Sequence, residues 1–270
     1  GKVEKVINTY NKALEIFPNE EKVFYEKGLF LNIIKQYEEA VKSFDKTLEI
    51  DDKFGLAFNH RGISYLNLGE TELAKADFDK AKELLEEDEI DIYYGKYYES
   101  IGEGEKALDI YNETIKSFNN GKAYLFRGQI YYNNKDTNKA INDFKDAQEK
   151  GEYEASAYLG NIYYEQKNYK EARDNFNKYI ENDQSSPWIY NRLGLINIEL
   201  KDYESSLMYF QKANELEPKD IEILFNIAST YEFLNDYEKA KIYIEKILDI
   251  QPNDSEAIRE LTYINSKLND

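Results

Sequence analysis

Tyr37-Glu38-Glu39-Ala40 decides the fold, read together with Gly28 twelve residues before Ala40 and Phe44 four residues after it. The same constellation returns along the chain. A small residue recurs at Gly28, Gly62, Gly95, Gly128, Gly160, Gly194 and Ala228, in steps of 34, 33, 33, 32, 34 and 34. Twelve residues behind it run Ala40, Ala74, Ala107, Ala140, Ala172, Ser206 and Ala240, and four further on Phe44, Phe78, Tyr111, Phe144, Phe176, Phe210 and Ile244. Three columns held in constant phase mark an array of one repeated supersecondary unit.

Each unit reads as two helices. Phe24, Gly28 and Leu31 in the first, and Ala40, Val41, Phe44 and Leu48 in the second, follow helical spacing. Polar turns with helix-stop residues separate them, among them Lys35-Gln36, Asn67-Leu68-Gly69, Lys135-Asp136 and Asn235-Asp236. The spacing predicts one array over 1–270: the second helix of a truncated repeat at 3–20, and complete repeats at 21–54, 55–87, 88–120, 121–152, 153–186, 187–220 and 221–253. A capping helix with a polar outer face is expected at 254–268. The small-to-small spacing inside a unit never varies, so all length variation falls between units, near 83–90, 116–122 and 148–154. A changed twist is expected there. The chain opens on Gly1, in mid-unit, so a trimmed or mature form is expected, with an upstream signal or anchor not excluded.

The columns resemble the tetratricopeptide repeat, whose unit places a large residue, Leu-Gly, Tyr, Ala, Phe, Ala and Pro over 34 residues. Residues 187–220 carry Tyr190, Leu193-Gly194, Phe210, Ala213 and Pro218, departing at Asn197 and Ser206. Residues 55–87 carry Phe58, Gly62, Tyr65, Ala74, Phe78 and Ala81. The resemblance implies an all-α, right-handed solenoid of stacked helix-turn-helix units that works by binding another protein, through a peptide or helix laid along its concave groove. It says little about which partner, because one fold hosts many functions.

In such proteins the second, fifth, ninth and twelfth positions of the first helix look like the concave wall. Here that wall would include Tyr25, Leu56, Asn59, Ile63 and Leu66, then Lys96, Lys122, Gln129, Tyr132, Asn161 and Tyr164, then Trp188, Asn191, Leu195, Ile198 and Phe225. Apolar anchors are expected near Leu56/Ile63/Leu66 or Trp188/Ile198/Phe225, with Lys96, Lys122, Glu222 and Glu232 setting orientation. The single Trp of the chain falls on this wall, and Trp is enriched at binding hot spots. The Lys, Asn and Arg set of the family's two-carboxylate clamp is absent, since Tyr25 and Leu29 stand where its first Lys and Asn would. No continuous asparagine ladder is present either.

Composition narrows the function classes. With 35 Lys and Arg against 53 Asp and Glu the net charge is −18, opposite to what binding a phosphate backbone demands. No apolar run is long enough to insert in a membrane. Cys is absent and His60 is the only histidine, which leaves almost no material for a nucleophilic triad. His60 reads as a partly packed or solvated imidazole. The run Glu86-Glu87-Asp88-Glu89 with Asp91 lacks the pattern of a calcium loop and reads as a solvated link. No enzymatic activity, cofactor or metal is expected, and the partner is expected to be another protein. Two alternatives stay open: a self-associating or envelope, secretion or pilus assembly factor, including a homo-oligomer, and a regulatory array cut from a larger enzyme. The sequence indicates no compartment.

Overall fold

The computed structural model describes residues 2–85 and 88–269. Among these residues the chain is an all-α solenoid without strands. The helices are α1 (Lys2–Ile16), α2 (Glu21–Ile33), α3 (Tyr37–Ile50), α4 (Gly55–Leu68), α5 (Thr71–Leu84), α6 (Asp88–Ser100), α7 (Gly104–Phe118) and α8 (Gly121–Asn133). They continue as α9 (Thr137–Glu149), α10 (Glu154–Glu165), α11 (Tyr169–Ile180), α12 (Pro187–Glu199), α13 (Tyr203–Leu216), α14 (Ile221–Phe233), α15 (Tyr237–Ile250) and α16 (Ser255–Asn269). Residues 1–143 and 144–270 form two compact units. The acidic run from Glu86 to Glu89 lies outside the described residues and side chains. Asp91, which follows it, accepts a hydrogen bond from Lys82 Nζ.

In the first unit consecutive helices pack in sequence from α1 to α8, and the first helices also touch one another, α2 on α4, α4 on α6 and α6 on α8. The second unit repeats the order from α10 to α16, with α12 on α14. The recurring small residue explains the tight pairing within a repeat. A Cβ at Gly28, Gly62 or Gly160 would stand 2.6, 2.7 or 2.8 Å from the ring of Phe44, Phe78 or Phe176. Gly95 meets Tyr111, and Gly194 meets Phe210, more closely still. All five rings and the alanines Ala40, Ala74, Ala107 and Ala172 are fully buried. Ring and missing side chain are thus one packing element, and a methyl group there would overpack it.

Every turn inside a repeat closes in the same way. The fifteenth residue, Lys35, Gly69, Gly102, Lys135, Lys167, Lys201 or Asn235, has a φ between 58° and 80°. The next amide donates back to the eleventh carbonyl, as Gln36 N does to Leu31 O at 2.9 Å and Asp236 N to Tyr231 O at 2.8 Å. This is the αL helix stop that satisfies carbonyls the helix leaves orphaned. Asp202 and Asp236 then cap the following helix, accepting from Ser205 N and Lys239 N, each at 3.2 Å.

The seventh residue of each first helix separates the two units. In the first unit it is polar and donates to the second helix of the preceding repeat: Lys27 to Asn11 (2.9 Å), Arg61 to Asp45 (2.6 Å), Tyr94 to Asp79, and Arg127 to Asn112 (2.6 Å). In the second unit Leu159, Leu193 and Ile227 occupy that place and are buried. Tyrosine hydroxyls take over the polar link, Tyr209 donating to Asn177 and Tyr231 accepting from Gln211, both at 3.2 Å.

The last helix departs from the expected cap in one respect. Ala257 and Ile264 of α16 are buried, but Ile258 of its apolar stripe is exposed, because α16 packs on α15 through the Ala257 and Ile264 side alone.

Candidate interaction surface

In the first unit, where first helices lie side by side, the residue at the fifth position is used up between them. Tyr25 is 9% exposed and sits among Phe44, Phe54 and His60, and Asn59 is 1% exposed. Ile92 and Leu125, at the same position, are buried too. Tyr25 and Asn59 therefore leave the expected wall and belong to the packing between repeats. His60 is part of the same layer, its Nδ1 lying 2.9 Å from the Leu56 carbonyl oxygen, and Ser64 Oγ donates to Asn32 Oδ1 (2.8 Å), joining α4 to α2.

The surface actually presented is turned by one residue. Sixth and thirteenth positions join the second and ninth on it. This brings Tyr93, Phe126 and Arg192 in at the sixth, and Asn67, Ser100 and the 78%-exposed Ile33 at the thirteenth. A helical wheel places the fifth and sixth positions 100° apart. Only the contact between neighbouring first helices tells which of them is covered.

In the first unit, Ile63, Leu66 and Lys96 come together with Asn67, Tyr93, Glu99, Ser100 and Phe126 around a cleft of about 400 Å³. Its walls are apolar and its polar groups are fixed. Lys96 Nζ lies 4.7 Å from the centre of the Phe126 ring and donates to Glu99 Oε2 at 3.1 Å. Glu99 Oε1 accepts from the Tyr111 hydroxyl (2.5 Å), whose pKa burial and the Glu99 charge push far above the ordinary tyrosine value, so it stays a donor. Tyr93 stacks on Phe78 with ring centres 6.5 Å apart. Leu56 is half-buried against the Tyr25 and Phe44 cluster at the edge of this surface. Lys122, Gln129 and Tyr132 stand half-buried on α8, apart from the cleft-lining set.

In the second unit, Asn161 and Tyr164 are half-buried on α10, while Leu195, Ile198 and Phe225 rest on the core. Trp188 is different. It is 43% exposed, its indole packed edge-on against Phe176 with centroids 5.8 Å apart. The Arg192 guanidinium lies 5.5 Å from the Trp188 ring and 5.2 Å from the Tyr164 ring. Asn191 Nδ2 donates to Glu222 Oε1 (3.0 Å), and its Oδ1 accepts from Asn226 Nδ2 (2.9 Å). Trp188, Asn191 and Arg192 thus border a small cleft of about 240 Å³ closed by Pro187, Glu217, Asp220, Glu222 and Ile223. Read from the sequence, Arg192 and Asn191 are isolated. The fold gives each a partner.

Glu232 ends the first-helix face of α14. Burial, and then the Glu260 carboxylate to which it is hydrogen-bonded, push its pKa up to about 7. Among the described residues no group of three or more His, Cys, Asp or Glu is placed to hold a metal ion, and no helix is long and apolar enough to cross a membrane.

Repeated helix pairs with partly exposed apolar and aromatic side chains on their first helices define a protein-interaction scaffold. The chain belongs to the tetratricopeptide repeat family. Family models described as tetratricopeptide repeat match residues 21–54, 57–87, 189–220 and 221–254, and a second of the same description matches 125–187. No curated protein matches the chain. Among solved structures it is similar to the C-terminal part of a repeat-containing protein from Cytophaga hutchinsonii, at 23% identity over 88% of this chain and 99% of that one, with a TM-score of 0.60. It is also similar to a chain of the Cut9–Hcn1 hetero-tetramer of the APC/C (18%, 97% and 52%, TM-score 0.62) and to PilF of Pseudomonas aeruginosa (17%, 80% and 98%, TM-score 0.63). At these identities the likeness is one of fold.

Proposed function

We propose that the chain binds a segment of a partner polypeptide on the first-helix faces of its repeats, with the cleft of the first unit as an anchor site for an apolar side chain. The observation that carries this reading is the meeting of Ile63, Leu66, Tyr93 and Phe126 around one cleft whose charged groups among the described residues, Lys96 and Glu99, neutralise each other. Such a site takes up a leucine-like or aromatic side chain without leaving a charge unpaired. The preformed walls keep the ordering cost on the partner's side, as expected when a helix or extended peptide docks on a rigid groove. Lys122, Gln129, Tyr132, Asn161, Tyr164, Leu195, Ile198 and Phe225 would flank the anchor sites and set complementarity more than affinity.

The test is selection of peptides from a random display library on the purified protein, followed by measurement of the selected peptides on variants. Leu66→Asp and Phe126→Ala are expected to weaken them by about tenfold or more while far-UV circular dichroism stays unchanged. A library that yields no binder, or binders indifferent to both substitutions, removes the reading.

A further inference from the structure

The Trp188 cleft differs from the one in the first unit in size, charge and partnering. At about 240 Å³ it falls below the roughly 300–1,000 Å³ of small-molecule sites, and it suits a single side chain. Three carboxylates, Glu217, Asp220 and Glu222, border it against one cation, Arg192. That cation does not neutralise them. Its guanidinium lies against the Tyr164 and Trp188 rings, and it forms no ion pair with the three. Glu222 uses Oε1 on Asn191 and Asp220 uses Oδ1 to cap Ile223 N at 3.0 Å. Among the described residues Glu222 Oε2 and Asp220 Oδ2 have no hydrogen-bond partner, and neither does the Glu217 carboxylate.

We infer that this cleft receives a lysine or arginine side chain of the bound polypeptide segment, held between the Trp188 ring and the carboxylates of Glu217, Asp220 and Glu222. Each feature serves that occupant. A cation beside an indole face gains from the ring quadrupole, and Trp is the best of the aromatic rings for it. The vacant carboxylate oxygens accept its N–H groups in charge-assisted bonds. An acidic occupant would meet three like charges. An apolar one would bury the same carboxylates without a partner. The net charge of −18 draws basic segments toward the surface before contact. The inference rests on the polypeptide-binding reading and adds to it the charge of the residue that docks on the second unit.

Trp188 is the chain's single tryptophan, so its fluorescence reports this cleft alone. The probes are a twelve-residue Gly/Ser peptide carrying two Lys and one Leu, its twin with Glu in place of Lys, and spermidine. The basic peptide is expected to change Trp188 emission saturably. Its apparent affinity should drop about tenfold in Glu217→Gln/Glu222→Gln and fall with added salt. Circular dichroism checks that the double variant keeps its helicity. Arg192→Gln removes the competing cation and is expected to tighten the peptide. Equal response to the acidic twin overturns the inference, and so does spermidine reproducing the full response at the same concentration. Trp188 remaining silent while display-selected peptides bind the first unit overturns it too, and leaves the polypeptide-binding reading standing. A selection without binders removes that reading while the Trp188 titration still reports on the cleft.

Discussion

Arg61 holds Asp77 through two parallel hydrogen bonds, Nε to Oδ2 and Nη2 to Oδ1, each 2.7 Å long. Arg127 holds Asp143 in the same fork at 2.8 and 2.7 Å. In both cases the third nitrogen crosses to the preceding repeat, and the guanidinium lies against two aromatic rings of its own helix, Phe58 and Tyr65 or Tyr124 and Tyr131. One side chain therefore ties the two helices of its repeat together and fastens them to the repeat before.

Arg61→Ala should be among the most damaging substitutions in the first unit. Asp77 is buried, and burial raises its carboxyl pKa despite the guanidinium beside it. Removing the partner of a buried charge costs about 3–5 kcal/mol. The exposed pair Lys46–Glu49 is the contrast, since Lys46→Ala should cost well under about 1 kcal/mol. Urea unfolding followed by circular dichroism distinguishes the two.

Asn59 should be replaceable with gain. Its Oδ1 and Nδ2 are buried without a hydrogen-bond partner, at a position where Ile92 and Leu125 stand in the following repeats. Asn59→Leu removes two unsatisfied groups and is expected to stabilise the first unit by about 1–2 kcal/mol. A thermal midpoint unchanged or lowered in this variant would contradict the expectation.

Lys135 closes its turn at a φ of 62°, where Gly69 and Gly102 close theirs at 80° and 79°. Its Cβ crowds the backbone there, which a glycine avoids. Lys135→Gly should therefore stabilise by about 0.5–1 kcal/mol. Gly69→Lys should do the reverse, both read as shifts in thermal midpoint.

Glu232 makes the end of the array pH-sensitive. Its pKa rises from 4.5 to about 7 in the folded chain, so the folded state holds a proton that the unfolded state has released. The stability this adds is fully present below pH 4.5 and is lost as pH rises through about 7, when Glu232 gives up its proton beside the Glu260 carboxylate. Hydrogen exchange in α14 and α16 should be faster at pH 8 than at pH 6, after correction for intrinsic rates. Glu232→Gln should flatten that difference and protect both helices at pH 8.

Much of the fold is legible in single residues. The Gly28–Phe44 pairing and its repeats are visible as two columns sixteen residues apart, because a buried ring needs a neighbour without a side chain. The candidate surface was legible in part. Ile63, Leu66 and Lys96, with Glu99 at the twelfth position, line the first cleft and Trp188 and Asn191 the second, whereas Tyr25 and Asn59 are packed away, and Tyr93, Phe126 and Arg192 take part unforeseen. Their sixth-position signal, aromatic in three repeats (Tyr93, Phe126 and Tyr158) and arginine in a fourth, is present in the sequence but has no meaning until the neighbouring helix is placed.

Helix pairs, turn positions and the buried ring of each repeat follow from the sequence itself, because they depend on contacts within about 34 residues that recur in fixed phase. Which side of a first helix is covered was decided only by tertiary structure. That depends on how neighbouring first helices lean on each other, and a rotation of one residue exchanges a core side chain for an exposed one. The same holds for charge. A net −18 spreads over the whole chain, but it took the fold to bring Glu217, Asp220 and Glu222 to the cleft that Trp188 borders.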